Sequence, residues 1–89
     1  MAKLSIKTDL KSVVVVGAFC DWDLDKALRV ELKPKGKTLV VENFPKGEYK
    51  VLSCKNYQNG GEIYPTDGRP KVENRYFNGQ DDEKIYCYF

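Results

Sequence analysis

The sequence predicts an all-β protein, a single β-sandwich of six to eight short and mostly antiparallel strands spanning residues 1–89. Three observations predict it. Segments rich in β-branched residues or alternating apolar and polar residues recur along the chain, and turn residues separate them at intervals of roughly ten residues. The stretch Val13-Val14-Val15-Val16-Gly17-Ala18-Phe19 is apolar on both of its faces, which marks a strand at the centre of a sheet rather than at an edge. At 89 residues the chain buries only about two thirds of its unfolded surface, enough for one modest core.

The elements follow in order. Leu4-Ser5-Ile6-Lys7-Thr8 alternates and forms a first strand, closed by Asp9-Leu10-Lys11-Ser12. The central strand runs from Val13 to Phe19, and Gly17 on it leaves room for the close approach of a neighbour. Asp23-Leu24-Asp25-Lys26-Ala27-Leu28 suits a short helical turn capped by Asp23 or Asp25. Leu28 to Leu32 alternates strictly, so Leu28, Val30 and Leu32 are expected inward. A turn at Pro34 to Gly36 then returns Thr38 to Glu42 as the antiparallel partner of that strand. Phe44-Pro45-Lys46-Gly47 is a further turn, and Glu48 to Cys54 the next strand. Residues 56–80, rich in Gly, Pro, Asn and Tyr, read as a long irregular excursion. The chain closes with a strand over Glu83 to Phe89, with Ile85, Cys87 and Phe89 on one face and Tyr86 and Tyr88 on the other.

Composition excludes several classes of function. The chain is 42% hydrophobic and 31% charged, a globular balance. Its longest apolar run, Val13 to Val16, is far short of the roughly 18 to 20 residues that cross a membrane. The start Met-Ala-Lys-Leu-Ser-Ile-Lys has no apolar core of a signal peptide, so a cytoplasmic protein is expected, or one exported by a route that the sequence does not show. Fifteen basic residues against 13 acidic ones leave a net charge of +2, and the lysines are scattered in sequence. The one dense group, Lys33-Pro34-Lys35-Gly36-Lys37, reads as a solvated turn, so no nucleic-acid partner is expected. Cys20, Cys54 and Cys87 are odd in number and lack a pairing motif, which predicts three reduced thiols.

With no histidine, the commonest general base and metal ligand are both missing, and the cysteines have no imidazole partner. A carboxylate pair from Asp81-Asp82-Glu83 or from the Asp21 to Asp25 loop would need a deep cleft to hydrolyse a glycoside, and a sandwich of this size hardly provides one. Asp21, Asp23 and Asp25 have the first three spacings of a calcium loop. The pattern then fails, with Lys26 in place of its glycine and Leu32 in place of its glutamate. Asn59-Gly60-Gly61 is a turn and not a phosphate loop, because it lacks the spacing and the following helix. No catalytic residue, metal or cofactor is expected. Trp22, the sole tryptophan, follows the central strand and reads in two ways: a flat platform for the C–H face of a sugar, or a plug over the end of the sandwich.

Gly17-Ala18-Phe19-Cys20-Asp21-Trp22-Asp23 resembles the Gly-x-Phe-Asn-x-Trp-Asp signature of the family 48 carbohydrate-binding modules, the early-set immunoglobulin-like domains of branching and debranching enzymes and of the AMP-activated kinase β subunit. Phe44-Pro45-Lys46-Gly47-Glu48-Tyr49 looks like that family's Leu-Pro-x-Gly-x-Tyr, and Tyr64-Pro65 stands where the family has Asp-Pro. The resemblance covers roughly residues 12 to 89. It implies an immunoglobulin-like sandwich that binds α-glucans of the glycogen and starch type without catalysis. The family's surface uses two tryptophans, a lysine and an asparagine. Trp22 matches the first tryptophan, while Leu52 stands in place of the lysine and there is no second tryptophan. The site expected by resemblance is therefore Trp22, with Lys50 two residues before Leu52 on the same strand face, Tyr57 or Tyr64 as second platform, and Asn74 or Asn78 as the asparagine. The rival expectation is a structural or protein-interaction domain that keeps the fold and assembles, with itself or a partner, through an apolar face of Val14, Val16, Tyr86 and Tyr88.

Overall fold

The structure is a computed structural model that describes residues 2–34 and 36–89. Its strands are β1 (Leu4–Lys7), β2 (Ser12–Gly17), β3 (Leu28–Glu31), β4 (Leu39–Val41), β5 (Gly47–Leu52), β6 (Arg75–Phe77) and β7 (Glu83–Tyr86). They form two sheets, a three-stranded one in the order β4-β1-β7 and a four-stranded one in the order β3-β2-β5-β6. The expected β-sandwich is observed. Every neighbouring pair is antiparallel except β1 and β7, which run parallel. Among the described residues no helix is long and apolar enough to cross a membrane.

Alternation builds the core. Leu4 and Ile6 of β1, Val13 and Val15 of β2, Tyr49 and Val51 of β5 and Phe77 of β6 all bury their side chains between the sheets. Phe44, from the turn before β5, fills one end of this layer and meets Phe19, Tyr49 and Phe77 edge-on at centroid distances of 5.1 to 5.6 Å. β2 lies inside its sheet between β3 and β5, as its two apolar faces require.

Gly17 pairs with Tyr49 in extended conformation, and a Cβ added there would overlap the Glu48 carbonyl oxygen and lie 2.9 Å from Tyr49 Cα. The obstacle is backbone, which cannot rotate away. Gly17→Ala is therefore expected to destabilise the fold by about 2 kcal/mol, measured as a lower midpoint in urea; an unchanged midpoint would show that the strands separate freely here.

Several expectations are corrected. β4 does not pair with β3 but crosses to the other sheet and pairs with β1 through Leu4↔Val41 and Ile6↔Leu39. A three-residue strand with one apolar face satisfies either sheet, and the connection over residues 32–38 is longer than a tight hairpin turn. Lys35, in the expected turn Pro34 to Gly36, lies outside the described residues; Gly36 N donates to Lys33 O at 2.9 Å. The central strand ends at Gly17, and Phe19 falls in a 3-10 turn (Ala18–Cys20), where it is exposed. Leu28 and Phe89 are also exposed rather than inward: Leu28 begins the edge strand β3, and Phe89 lies three residues beyond the end of β7. β6 forms within the stretch expected to be irregular. Val14 and Val16 do not form an exposed face with Tyr86 and Tyr88: they belong to the other sheet and are covered by Cys20, Trp22, Leu24 and Ala27 from the loop that follows β2.

Candidate functional site

The loop between β2 and β3 folds back across the outer face of the four-stranded sheet. Asp21 and Trp22 both take left-handed backbone angles, φ 55° and 58°, and Trp22 N donates to Gly17 O at 3.0 Å. Two such residues in succession reverse the chain at a cost in strain. Burial offsets it, because the reversal lays Trp22 against Val14, Val16 and Leu52. The ring is half-buried, so it acts as both cover and surface. Asp23 accepts a hydrogen bond from Asp25 N at 2.9 Å and caps the 3-10 turn Leu24–Lys26, the role expected of it.

The excursion brings a second ring to the same place. Asn56 Oδ1 accepts from Gln58 N at 2.8 Å and Asn59 N at 3.2 Å, an Asx turn that presents Tyr57. Tyr57 Oη then donates to Trp22 O at 3.3 Å, tying the two aromatic residues together. Burial raises the phenol pKa, and the neighbouring Cys20 adds to the rise.

Lys50 projects from β5 onto this face. Its ammonium donates to Val72 O at 2.9 Å and Glu73 O at 3.4 Å. An ammonium has three protons, so one is left for a ligand. The strap 70–73, held down by Lys50, lines a groove of about 340 Å³ together with Tyr57, Gln58, Asn59 and Phe89. Val72 on the strap is exposed.

The remaining expected residues divide. Tyr64 Oη donates to Glu73 Oε1, and Arg69 lies over the Tyr64 ring at 4.9 Å, so Tyr64 braces the strap and is not among the groove-lining residues. That hydrogen bond raises the Tyr64 pKa and lowers that of Glu73. Asn74 is exposed just before β6, next to the strap. Asn78 lies beyond the other end of β6, where its Oδ1 accepts from Gln80 N and Asp81 N and shapes a turn. Tyr57 and Lys50 thus line the groove, while Trp22 lies on the same sheet face, linked to Tyr57 through its backbone carbonyl but, like Tyr64, not among the groove-lining residues; Asn74 follows the strap and Asn78 is apart from them.

Beneath the groove lies a pair that the sequence offers no spacing to find. Glu62, only 7% exposed, accepts from Arg75 Nε at 3.0 Å and from Nη2 at 2.7 Å, and Arg75 Nη2 also donates to Tyr86 O at 3.0 Å. The bidentate bond to Glu62 raises the Arg75 pKa. This pair ties the excursion to both sheets. Next to it the buried Tyr49 hydroxyl has no hydrogen-bond partner among the described residues, and burial raises its pKa.

All three cysteines are free; Cys54 is exposed while Cys20 and Cys87 are buried. Burial pushes the Cys87 thiol up to about 12. Iodoacetamide at pH 8 is expected to label Cys54 alone in the native protein and all three thiols in denaturant, counted by mass spectrometry; rapid native labelling of Cys87 would contradict the packing of β7.

Comparison with protein families finds no match, and no curated protein matches. Among solved structures, a DUF3823 family protein from Bacteroides ovatus is similar at 15% identity and a TM-score of 0.48 over 98% of this chain. This chain spans 45% of the length of that protein.

Proposed function

We propose that this domain is a non-catalytic carbohydrate-binding module that takes α-glucan oligosaccharides on the outer face of its four-stranded sheet. The observation that carries the reading is the hydrogen bond from Tyr57 to the Trp22 backbone carbonyl, which fixes these two aromatic residues next to each other on the sheet face that also carries Lys50. A pyranose presents an apolar C–H face to a ring and hydroxyls at its rim. Trp22 and Tyr57 suit the first; the free proton of Lys50, the carboxylate of Glu73 and the amides of Gln58 and Asn59 suit the second. Lys50 has a further role, since binding uses a strap that it already fixes.

Each stack or hydrogen bond contributes on the order of 1 kcal/mol, so a site with a half-buried platform binds weakly, roughly 0.1 to several mM. Titration of maltoheptaose against the emission of the single tryptophan tests this. A saturable shift in that range is expected, and an unchanged spectrum with both maltoheptaose and β-cyclodextrin would refute the assignment.

A further inference from the structure

The outer face of the other sheet carries a different chemistry. Along β1 the buried Leu4 and Ile6 leave Lys3, Ser5 and Lys7 outward, and along β7 the buried Ile85 and Cys87 leave Lys84, Tyr86 and Tyr88 outward. The parallel pairing sets Ser5 beside Lys84 and Lys7 beside Tyr86. Lysines from the two ends of the chain, scattered in sequence, are thereby gathered on one surface. Lys7 Nζ lies 6.0 Å from the centre of the Tyr86 ring, and Lys37 and Thr8 join Lys7, Tyr86 and Tyr88 around a shallow hollow of about 260 Å³. Asp9 also lines it and is the one acidic side chain there.

Both rings are on rigid supports. Tyr86 O accepts from Arg75, Tyr88 O accepts from Ile63 N at 2.8 Å, and Cys87 N between them donates to Lys7 O at 2.9 Å. Tyr86 and Tyr88 remain 55% and 48% exposed. Fixed aromatic platforms bordered by cations, with hydroxyls close by, match an anionic chain that carries planar rings.

We propose that this face binds single-stranded nucleic acid, with bases stacked on Tyr86 and Tyr88 and phosphates against Lys7, Lys37 and Lys84. Tyr86 closes β7 and Tyr88 lies two residues further on, which in extended chain is about 6.6 Å. Splayed bases of a single strand reach that spacing, whereas duplex bases stacked at about 3.4 Å do not. The surface lies on the opposite sheet from Trp22 and is independent of the glucan reading.

Fluorescence anisotropy of a labelled 15-residue oligothymidylate tests the proposal on the full chain. Saturable binding is expected at 20 mM salt, weakening about tenfold or more at 200 mM. Tyr86→Ala with Tyr88→Ala is expected to weaken it at least tenfold, and Lys7→Glu comparably. Ultraviolet crosslinking of the unaltered protein, mapped by mass spectrometry, should mark Tyr86 or Tyr88, which serves should the double variant not fold. A duplex of equal length should bind at least tenfold more weakly. No binding at 20 mM salt, equal binding of the duplex, or crosslinks confined to other residues would overturn the proposal. So would a heparin fragment and the oligonucleotide responding alike to Lys7→Glu with no effect of the tyrosine changes, which would assign the face to an acidic polysaccharide.

Discussion

Trp22→Ala is expected to abolish the response to maltoheptaose, a loss of at least tenfold in affinity, while the protein remains folded. The half-buried ring covers Val14, Val16 and Leu52, so its removal also destabilises the domain, by about 2 kcal/mol. Circular dichroism separates the two effects, and amide NMR replaces the lost fluorophore as the binding readout. Lys50→Ala should weaken binding less directly, through the strap, because two of its three protons are already held by Val72 O and Glu73 O. A Trp22→Ala protein that binds maltoheptaose unchanged would remove the platform from the site. One that unfolds outright would show the ring to be a plug, as its contact with the second cluster of buried residues allows.

Arg75→Met is expected to have the largest effect on stability. It strands the carboxylate of Glu62, which is 7% exposed, without its cation. Breaking a buried pair on one side costs about 3 kcal/mol. In a domain of this size that lowers the melting temperature by 10 °C or more. Adding Glu62→Gln to Arg75→Met removes the unpaired charge and is expected to restore part of the loss. The excursion is tied to the sandwich at this point, so the groove should loosen as well, and maltoheptaose binding should fall in the single variant before the fold is lost. A melting temperature within 2 °C of the parent protein would mean that water reaches Glu62 and the pair is not confining.

The strands were legible where alternation or a β-branched run leaves one interpretation. Leu4 to Lys7, the valines of β2 and the stretch before Leu52 all form where their pattern places them. Sheet membership was not legible, because Leu39 and Val41 bury equally well from either side and only the whole core decides. β6 is three residues whose apolar content is Tyr76 and Phe77, too little signal within a stretch dominated by turn residues. At the candidate site, the solvation of Asp21 and the cap formed by Asp23 follow from residue type. The reversal at Asp21 and Trp22 does not, since neither is glycine and tertiary burial holds the strained backbone. Tyr57 and Tyr64 were equivalent as sequence; hydrogen bonds to Trp22 O and to Glu73 give them different places. The lysines illustrate the same limit, since Lys7 and Lys84 become neighbours only through a parallel pair that closes the small sheet.

The most direct measurement of the central claim is the amide and indole NMR spectrum of the labelled protein during titration with maltoheptaose to high millimolar concentration. Saturable shifts are expected, confined to the outer face of the four-stranded sheet: the Trp22 indole, the turn of residues 56–59, Lys50 and the strap 70–73. Amides of β1 and β7 should stay still, since they lie on the opposite sheet. An unchanged spectrum, or shifts centred on Tyr86 and Tyr88 with the Trp22 indole unmoved, would contradict it.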